Sequence, residues 1–172
     1  VSYSLTPWET YIDRNPIITM TSSSVIQTGG VGSAYYWPAL QPSTKDKKFS
    51  GVIYPSAAGT VYTQIGFETK LAEGWGDSPY IIWQVYPTNA YVYTVSSPES
   101  YAPSTKFSIT YDWVTFRFYK NDVYVCEKAL SNYTIRPFIY VYGGGSGWTN
   151  LIYSDITGSL SPSLPPVSIK FV

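Results

Sequence analysis

Along most of this chain, apolar and polar positions alternate in short runs broken by Gly, Pro, Asn and Ser. A period of two places successive side chains on opposite faces of a strand. The β-rich runs are residues 1–5, 17–20, 25–28, 35–37, 49–54, 60–67, 80–86, 90–95, 106–111, 114–119, 123–126, 135–142, 151–156 and 167–172. No helical period of 3.6 lasts three turns, and only residues 70–73 could form a single turn, before Gly74. Pro87, Thr88 and Asn89 read as a hairpin turn between two of the runs. About a dozen strands with closely spaced turn signals predict an all-β fold. The expected form is an antiparallel β-sandwich, a jelly roll, with essentially no helix. Residues 1–160 are expected to form one domain, with residues 1–6 as its N-terminal strand. Residues 161–172 read as a proline-rich linker followed by a C-terminal strand.

One block is more specific. From Phe107 to Val125 the chain reads FSITYDWVTFRFYKNDVYV. Phe107, Ile109 and Tyr111 alternate onto one face, and Val114, Phe116 and Phe118 are expected to do the same in the next strand. Asn121 and Asp122 supply the turn, where Asn-Gly is usual. This block resembles the paired strands of concanavalin A-like lectin and glucanase jelly rolls, which often carry F-S-I-x-Y-D-x-x-x-V-R-F-Y-x-N-G-x-x-V. Residues 62–67 and 150–155 also fit such a domain, so the resemblance covers residues 50–158. It implies a sandwich fold; function has to be argued from sites.

Composition narrows the chemistry. The chain has 172 residues, of which 18 are Tyr, 6 Trp and 7 Phe, while only 13% are charged. Eleven basic residues balance eleven acidic ones, and there is no His. The commonest general base and metal ligand is therefore missing. A neutral chain without a basic run argues against nucleic acid as partner. One Cys can form neither an internal disulfide nor a cysteine zinc site. No apolar stretch reaches the roughly 18–20 residues of a membrane helix, so no membrane insertion is expected. Polarity comes from hydroxyls, with Ser and Thr together making 39 residues. The start at Val1 and the single Met20 fit a processed precursor, hence a location outside the cytoplasm or on a virion surface. The composition resembles that of surface and filament proteins of thermophilic archaea and their viruses.

Catalytic readings are thin. Glu68 and Glu73 are five apart, which would put them on opposite faces of a continuous strand, and they read as solvated surface. Asp112, Asp122 and Asp155 read as separate turn residues. Residues 25–29, followed by Tyr35, Tyr36, Trp37 and Pro38, are similar to the segment around the catalytic Gln of glutamic peptidases. That resemblance would make Gln27 catalytic, but Ala72-Glu73-Gly74-Trp75 copies the second motif of those enzymes poorly. The expectation is a protein that is not an enzyme, with no catalytic residue, no metal site and no cofactor.

Two binding readings remain. Tyr35, Tyr36, Trp37, Trp75, Tyr142 and Trp148 lie near Gly- or Pro-containing loops, and aromatic faces suit sugar stacking. Trp37, Trp75 and Trp148 are the candidate glycan contacts, with cell-surface glycans as partner. Asn132, in Asn132-Tyr133-Thr134, is the candidate glycosylation site. The chain ends carry the other reading. Val167, Ile169 and Phe171 alternate behind a proline-rich leash and could be donated as a strand to a neighbouring copy. Val1, Tyr3 and Leu5 offer the same chemistry at the other end. On this reading the chain is a pilus-like filament subunit, a homopolymer assembled head to tail. The glycan-binding adhesion domain is the alternative, and a hydrolase the third.

Overall fold

The computed structural model describes residues 2–38, 46–54, 62–69, 81–93 and 95–156. Thirteen strands form there: β1 (Ser2–Tyr3), β2 (Trp8–Thr21), β3 (Ser24–Pro38), β4 (Lys47–Tyr54), β5 (Tyr62–Glu68), β6 (Ile81–Val85), β7 (Asn89–Val92), β8 (Glu99–Ser100), β9 (Lys106–Tyr111), β10 (Thr115–Lys120), β11 (Val123–Ala129), β12 (Arg136–Tyr142) and β13 (Ser146–Asp155). No helix occurs among the described residues. Every pairing between strands is antiparallel, and the hydrogen-bonded order is β11-β10-β9-β4-β13-β3-β12-β5-β6-β7-β8. β1 adds to β13, and β2 adds to β3. This long sheet doubles over on itself into a jelly-roll β-sandwich, as the alternation predicts.

The core lies between the two halves. Phe107, Ile109 and Tyr111 of β9 and Phe116 and Phe118 of β10 are fully buried. They meet Phe67 and Trp83 of the other half, with Trp83 and Phe107 rings 4.9 Å apart and Phe67 and Phe116 rings 6.2 Å apart. Tyr111 and Phe116 stack at 3.9 Å. The polar handles of the buried indoles find partners, as buried donors must. Trp83 Nε1 donates to the Ser108 carbonyl at 3.2 Å, and Trp148 Nε1 to Thr63 Oγ1 at 2.7 Å. Asn121 and Asp122 both take positive φ, 48° and 64°, giving the tight turn expected between β10 and β11.

Three local readings change. Val114 does not continue the alternation: it is 56% exposed and precedes β10. Asp112 Oδ1 accepts from the amides of Val114 and Thr115, so the chain turns there before the strand begins. The runs at 17–20, 25–28 and 35–37 are parts of one long hairpin, β2–β3, joined through residues that read as breakers. β13 begins at Ser146, five residues before the predicted run.

The hairpin explains how one sheet becomes two layers. Residues 25–27 of β3 pair with β13, whereas residues 33–36 pair with β12. Between them β3 turns the corner at Gly29, Gly30 and Gly32. Gly30 and Gly32 have φ of 76° and 102°, and an added Cβ would lie 2.2 Å from the Asn15 carbonyl or 2.1 Å from that of Asp13. Only glycine fits there.

The ends carry a further difference. β1 pairs within its own sheet, Ser2 with Ser154 and Tyr3 with Tyr153, and Leu5 packs into the core. Tyr3 and Leu5 are thus engaged by their own chain. Val1 lies outside the described residues, as do Val167, Ile169 and Phe171 of the C-terminal candidate strand.

Candidate functional site

One outer face of the sandwich collects the tyrosines. In β3, Ala34 and Tyr36 point to the main core, so Tyr35 and Trp37 point outward into a second apolar cluster. In β12, Ile139 and Val141 point inward, and Phe138, Tyr140 and Tyr142 outward. Strand register then aligns these positions. Tyr11 of β2 lies opposite Tyr35, Tyr35 opposite Tyr140, Tyr140 opposite Gln64 of β5, Gln64 opposite Gln84 of β6, and Gln84 opposite Tyr91 of β7. The result is a single transverse row across six strands.

Neighbouring rings make the row continuous. Ring centroids are 5.9 Å apart for Tyr11 and Tyr35, 4.6 Å for Tyr35 and Tyr140, and 5.2 Å for Tyr140 and Tyr62. From Tyr62 the contact passes to Tyr86 at 5.5 Å, to Tyr91 at 5.9 Å and to Tyr93 at 6.4 Å. Hydroxyls and amides link across it. Tyr62 donates to Tyr140 Oη at 3.4 Å, and Gln84 Nε2 donates to Tyr86 Oη at 2.8 Å. Tyr35 and Tyr140 are mostly covered, whereas Tyr11 is 46% exposed and Tyr62, Tyr86, Tyr91, Tyr93 and Tyr142 are half-buried. Burial, reinforced by the neighbouring Tyr140, pushes the phenols of Tyr35 and Tyr62 well above the ordinary value of 10.0. Burial likewise raises Tyr91, to about 12. These hydroxyls therefore stay protonated at neutral pH, able both to donate and to accept.

One end of the face carries a charged cluster, while Asp13, opposite Ser33 and two residues beyond Tyr11, adds an exposed carboxylate at the other. Glu68 and Arg136 lie opposite each other, with Arg136 Nη2 2.8 Å from Glu68 Oε2. The Arg136 guanidinium also sits 3.6 Å from Glu9 and 4.9 Å from the Trp37 ring centre. Trp37 Nε1 donates to Glu9 at 2.7 Å. Glu68, read from the sequence as solvated surface, is instead only 8% exposed, because Arg136 neutralises it in place. Glu73 lies outside the described residues.

The other sequence candidates land as follows. Trp148 is 0% exposed, in the main core, where Gly51 leaves room: an added Cβ would come within 3.1 Å of its ring. It has no ring face for a sugar. Tyr36 is also in the core, and Trp37 is covered by its partners Glu9 and Arg136. Trp75 lies outside the described residues. Asn132 is exposed in the turn between β11 and β12, with a positive φ of 65°. Gln27 is fully buried, and both ends of its amide are committed. Nε2 donates to the Gly32 carbonyl at 3.1 Å, and Oε1 accepts from the Gly143 amide at 3.0 Å. Gln27 clamps the β3 corner to the Gly143–Gly147 loop, which corrects its peptidase-like reading: no amide is left for catalysis. Asp112, Asp122 and Asp155 are ion-paired to Arg117, Lys106 and Lys47 respectively.

No known protein family's sequence profile matches this chain, and no curated protein matches it in sequence. Solved structures do. A carbohydrate-binding module, CBM66 from Bacillus subtilis, superposes with a TM-score of 0.55 at 12% identity, over 88% of this chain and 97% of that one. The exoplasmic/lumenal domain of VIP36, in a form bound to Ca2+ and Man3GlcNAc, gives 0.57 at 8% identity, over 90% and 86%. A human SPRY domain gives 0.57 at 17% identity, over 78% and 93%. The chain has the concanavalin A-like lectin-type fold, as the block at 107–125 implies. At these identities the likeness establishes the fold alone.

Proposed function

We propose that this chain is a glycan-binding module and that it holds a saccharide chain against the tyrosine row. The row itself carries the reading: Tyr11, Tyr35, Tyr140, Gln64, Gln84 and Tyr91 in register across six strands. Strand spacing makes such a row roughly 24 Å long, enough for several sugar rings. Tyr35, Tyr140, Gln64 and Gln84 are buried and form the floor of the row, while the more exposed Tyr11, Tyr62, Tyr86, Tyr91 and Tyr93 offer ring faces to the C–H sides of sugars and phenols to their hydroxyls. The half-buried rings are already packed, so little side-chain freedom is lost on binding. The sugars bound by the CBM66 module and by VIP36, as their names state, support the class. Binding without chemistry fits a face whose Glu9, Arg136 and Glu68 cluster is internally paired. A location outside the cytoplasm or in a lumen follows from such a role.

The test is a glycan array probed with the full chain, then with Tyr91→Ala and Tyr62→Ala. Defined glycan hits that fade in both variants support the reading. An array without hits, or hits indifferent to both changes, removes it.

One observation keeps the filament subunit as a second reading. β2 has a free edge fourteen residues long among the described residues, with Ile12, Ile17 and Met20 exposed along it. Such an edge accepts a strand unless guarded, and Pro16 guards only its middle. Deleting residues 162–172 and examining the protein by electron microscopy decides this: fibres lost on deletion support donation of the C-terminal strand. Fibres kept by the truncated chain, or absent from the parent, exclude it.

A further inference from the structure

The opposite outer face carries a groove that the tyrosine row does not use. Its volume is about 510 Å³, within the range of small-ligand sites. Lys48, Lys106, Thr110, Tyr119, Asp122 and Ile152 are among its walls. Register builds it in two rows. Ser154, Lys48, Thr110 and Arg117 align across β13, β4, β9 and β10; Ile152, Ser50, Ser108 and Tyr119 align beside them.

Three observations bear on what would fill it. First, the charges are balanced. Asp122 holds Lys106 at 2.7 Å and Lys48 at 3.7 Å, and Asp155 is paired with Lys47. An anion would have to displace Asp122, and a cation would meet both lysines. Second, the walls mix donors and acceptors with apolar surface: ammonium groups, carboxylates and hydroxyls surround the Tyr119 ring and the half-exposed Ile152 side chain. Third, Thr110 is more than nine-tenths buried, yet its Oγ1 has no hydrogen-bond partner among the described residues. A buried hydroxyl without a partner costs stability, and a ligand hydroxyl at this groove would relieve that cost.

We propose that this groove is a second saccharide site, taking a short neutral oligosaccharide whose hydroxyls meet Thr110, Lys48 and Asp122 while a ring lies on Tyr119 and Ile152. The site stands whether or not the tyrosine row binds glycan. With both sites filled, one module bridges two glycan chains from opposite faces.

The experiment is an NMR titration of the 15N-labelled full chain with maltotriose, cellotriose, mannotriose and xylotriose, and with a trigalacturonate as the acidic probe. At least one neutral trisaccharide should shift the Ser50, Thr110 and Tyr119 amides saturably, and should do so equally in Tyr91→Ala. Thr110→Val should weaken that binding by about tenfold or more. The same change should leave the melting temperature unchanged or higher, since it removes an unpaired hydroxyl. Tyr119→Ala is the second variant and should weaken binding alone. No perturbation there by any neutral probe overturns the proposal, as do shifts indifferent to both variants. Tighter binding of trigalacturonate overturns the neutral assignment. Shifts confined to the tyrosine row would sink this site and spare the first; shifts confined to the groove would do the reverse.

Discussion

The two outer faces come from the same alternation of residues, yet they handle charge in opposite ways. The tyrosine face covers one ion pair, Arg136 with Glu68, and leaves Glu9 and Asp13 exposed beside its neutral rings and amides. On the groove face the pair that borders the groove lies at the surface, where the Asp122 side chain is 61% exposed beside Lys106. Burial, not the number of ion pairs, decides how much each one matters. Removing one partner of a covered pair strands a charge in a poor solvent, whereas an exposed pair merely exchanges its partner for water.

The largest expected effect tests that contrast directly. Arg136→Met removes the guanidinium that contacts the buried Glu68 and should destabilise the fold by about 3–5 kcal/mol, measured by denaturant unfolding. Lys106→Met on the opposite face should cost no more than about 1 kcal/mol, less in high salt. Equal losses would erase the distinction between the faces. Next in size is Gln27→Ala at the β3 corner that joins them. It orphans the Gly143 amide and the Gly32 carbonyl and should cost about 3 kcal/mol. A smaller loss would mean that the corner holds through its glycines alone.

Binding changes come below these. Tyr91→Ala should weaken glycan binding about tenfold with little change in melting temperature, because its ring is half-buried at the end of the row. That affinity should hardly respond to salt, since the phenols of the row are uncharged.

The smallest effect is in pH. Burial works to raise the Asp112 carboxyl, but its hydrogen bond with Arg117 and the amides of Thr115 and Val114 outweigh this and hold it below the usual 3.8. The stability it adds is complete above pH of about 4 and is lost as the pH falls through the lowered folded value. Asp112→Asn should therefore flatten the acid side of the stability curve. An unchanged acid limb would show that this pair contributes nothing.

What could be read from the sequence follows from locality. Phe107, Ile109 and Tyr111 declare their common face by spacing alone, and Asn121 and Asp122 declare their turn by residue type. Val114 misled because a side-chain cap from Asp112 delays the strand. The alternation breaks within the β2–β3 hairpin because its corner glycines look like loop residues, although strand pairing continues through them. The tyrosine row was invisible for a different reason. Most of its strands show one or two outward tyrosines, as in Tyr91-x-Tyr93 and Tyr140-x-Tyr142, and β6 contributes Gln84 instead, but the row exists only once register between distant strands is set. Tryptophan near glycine looked like a loop contact in Trp148. In fact Gly51 and Gly147 let that ring into the core and its strand against β3.

The pairing of β1 with β13 has a consequence in time. Tyr3 gives its hydroxyl to Asp155, 152 residues further along, and β13, the last of the described strands, also pairs with β3 and β4. During synthesis the first strand emerges long before the strand that completes it. Few of the sheet's central contacts are local, which places the chain among slow folders. Until β13 has left the ribosome, the stretches of β3 and β4 that pair with it stay uncovered, and the growing chain is exposed to misassembly for that interval.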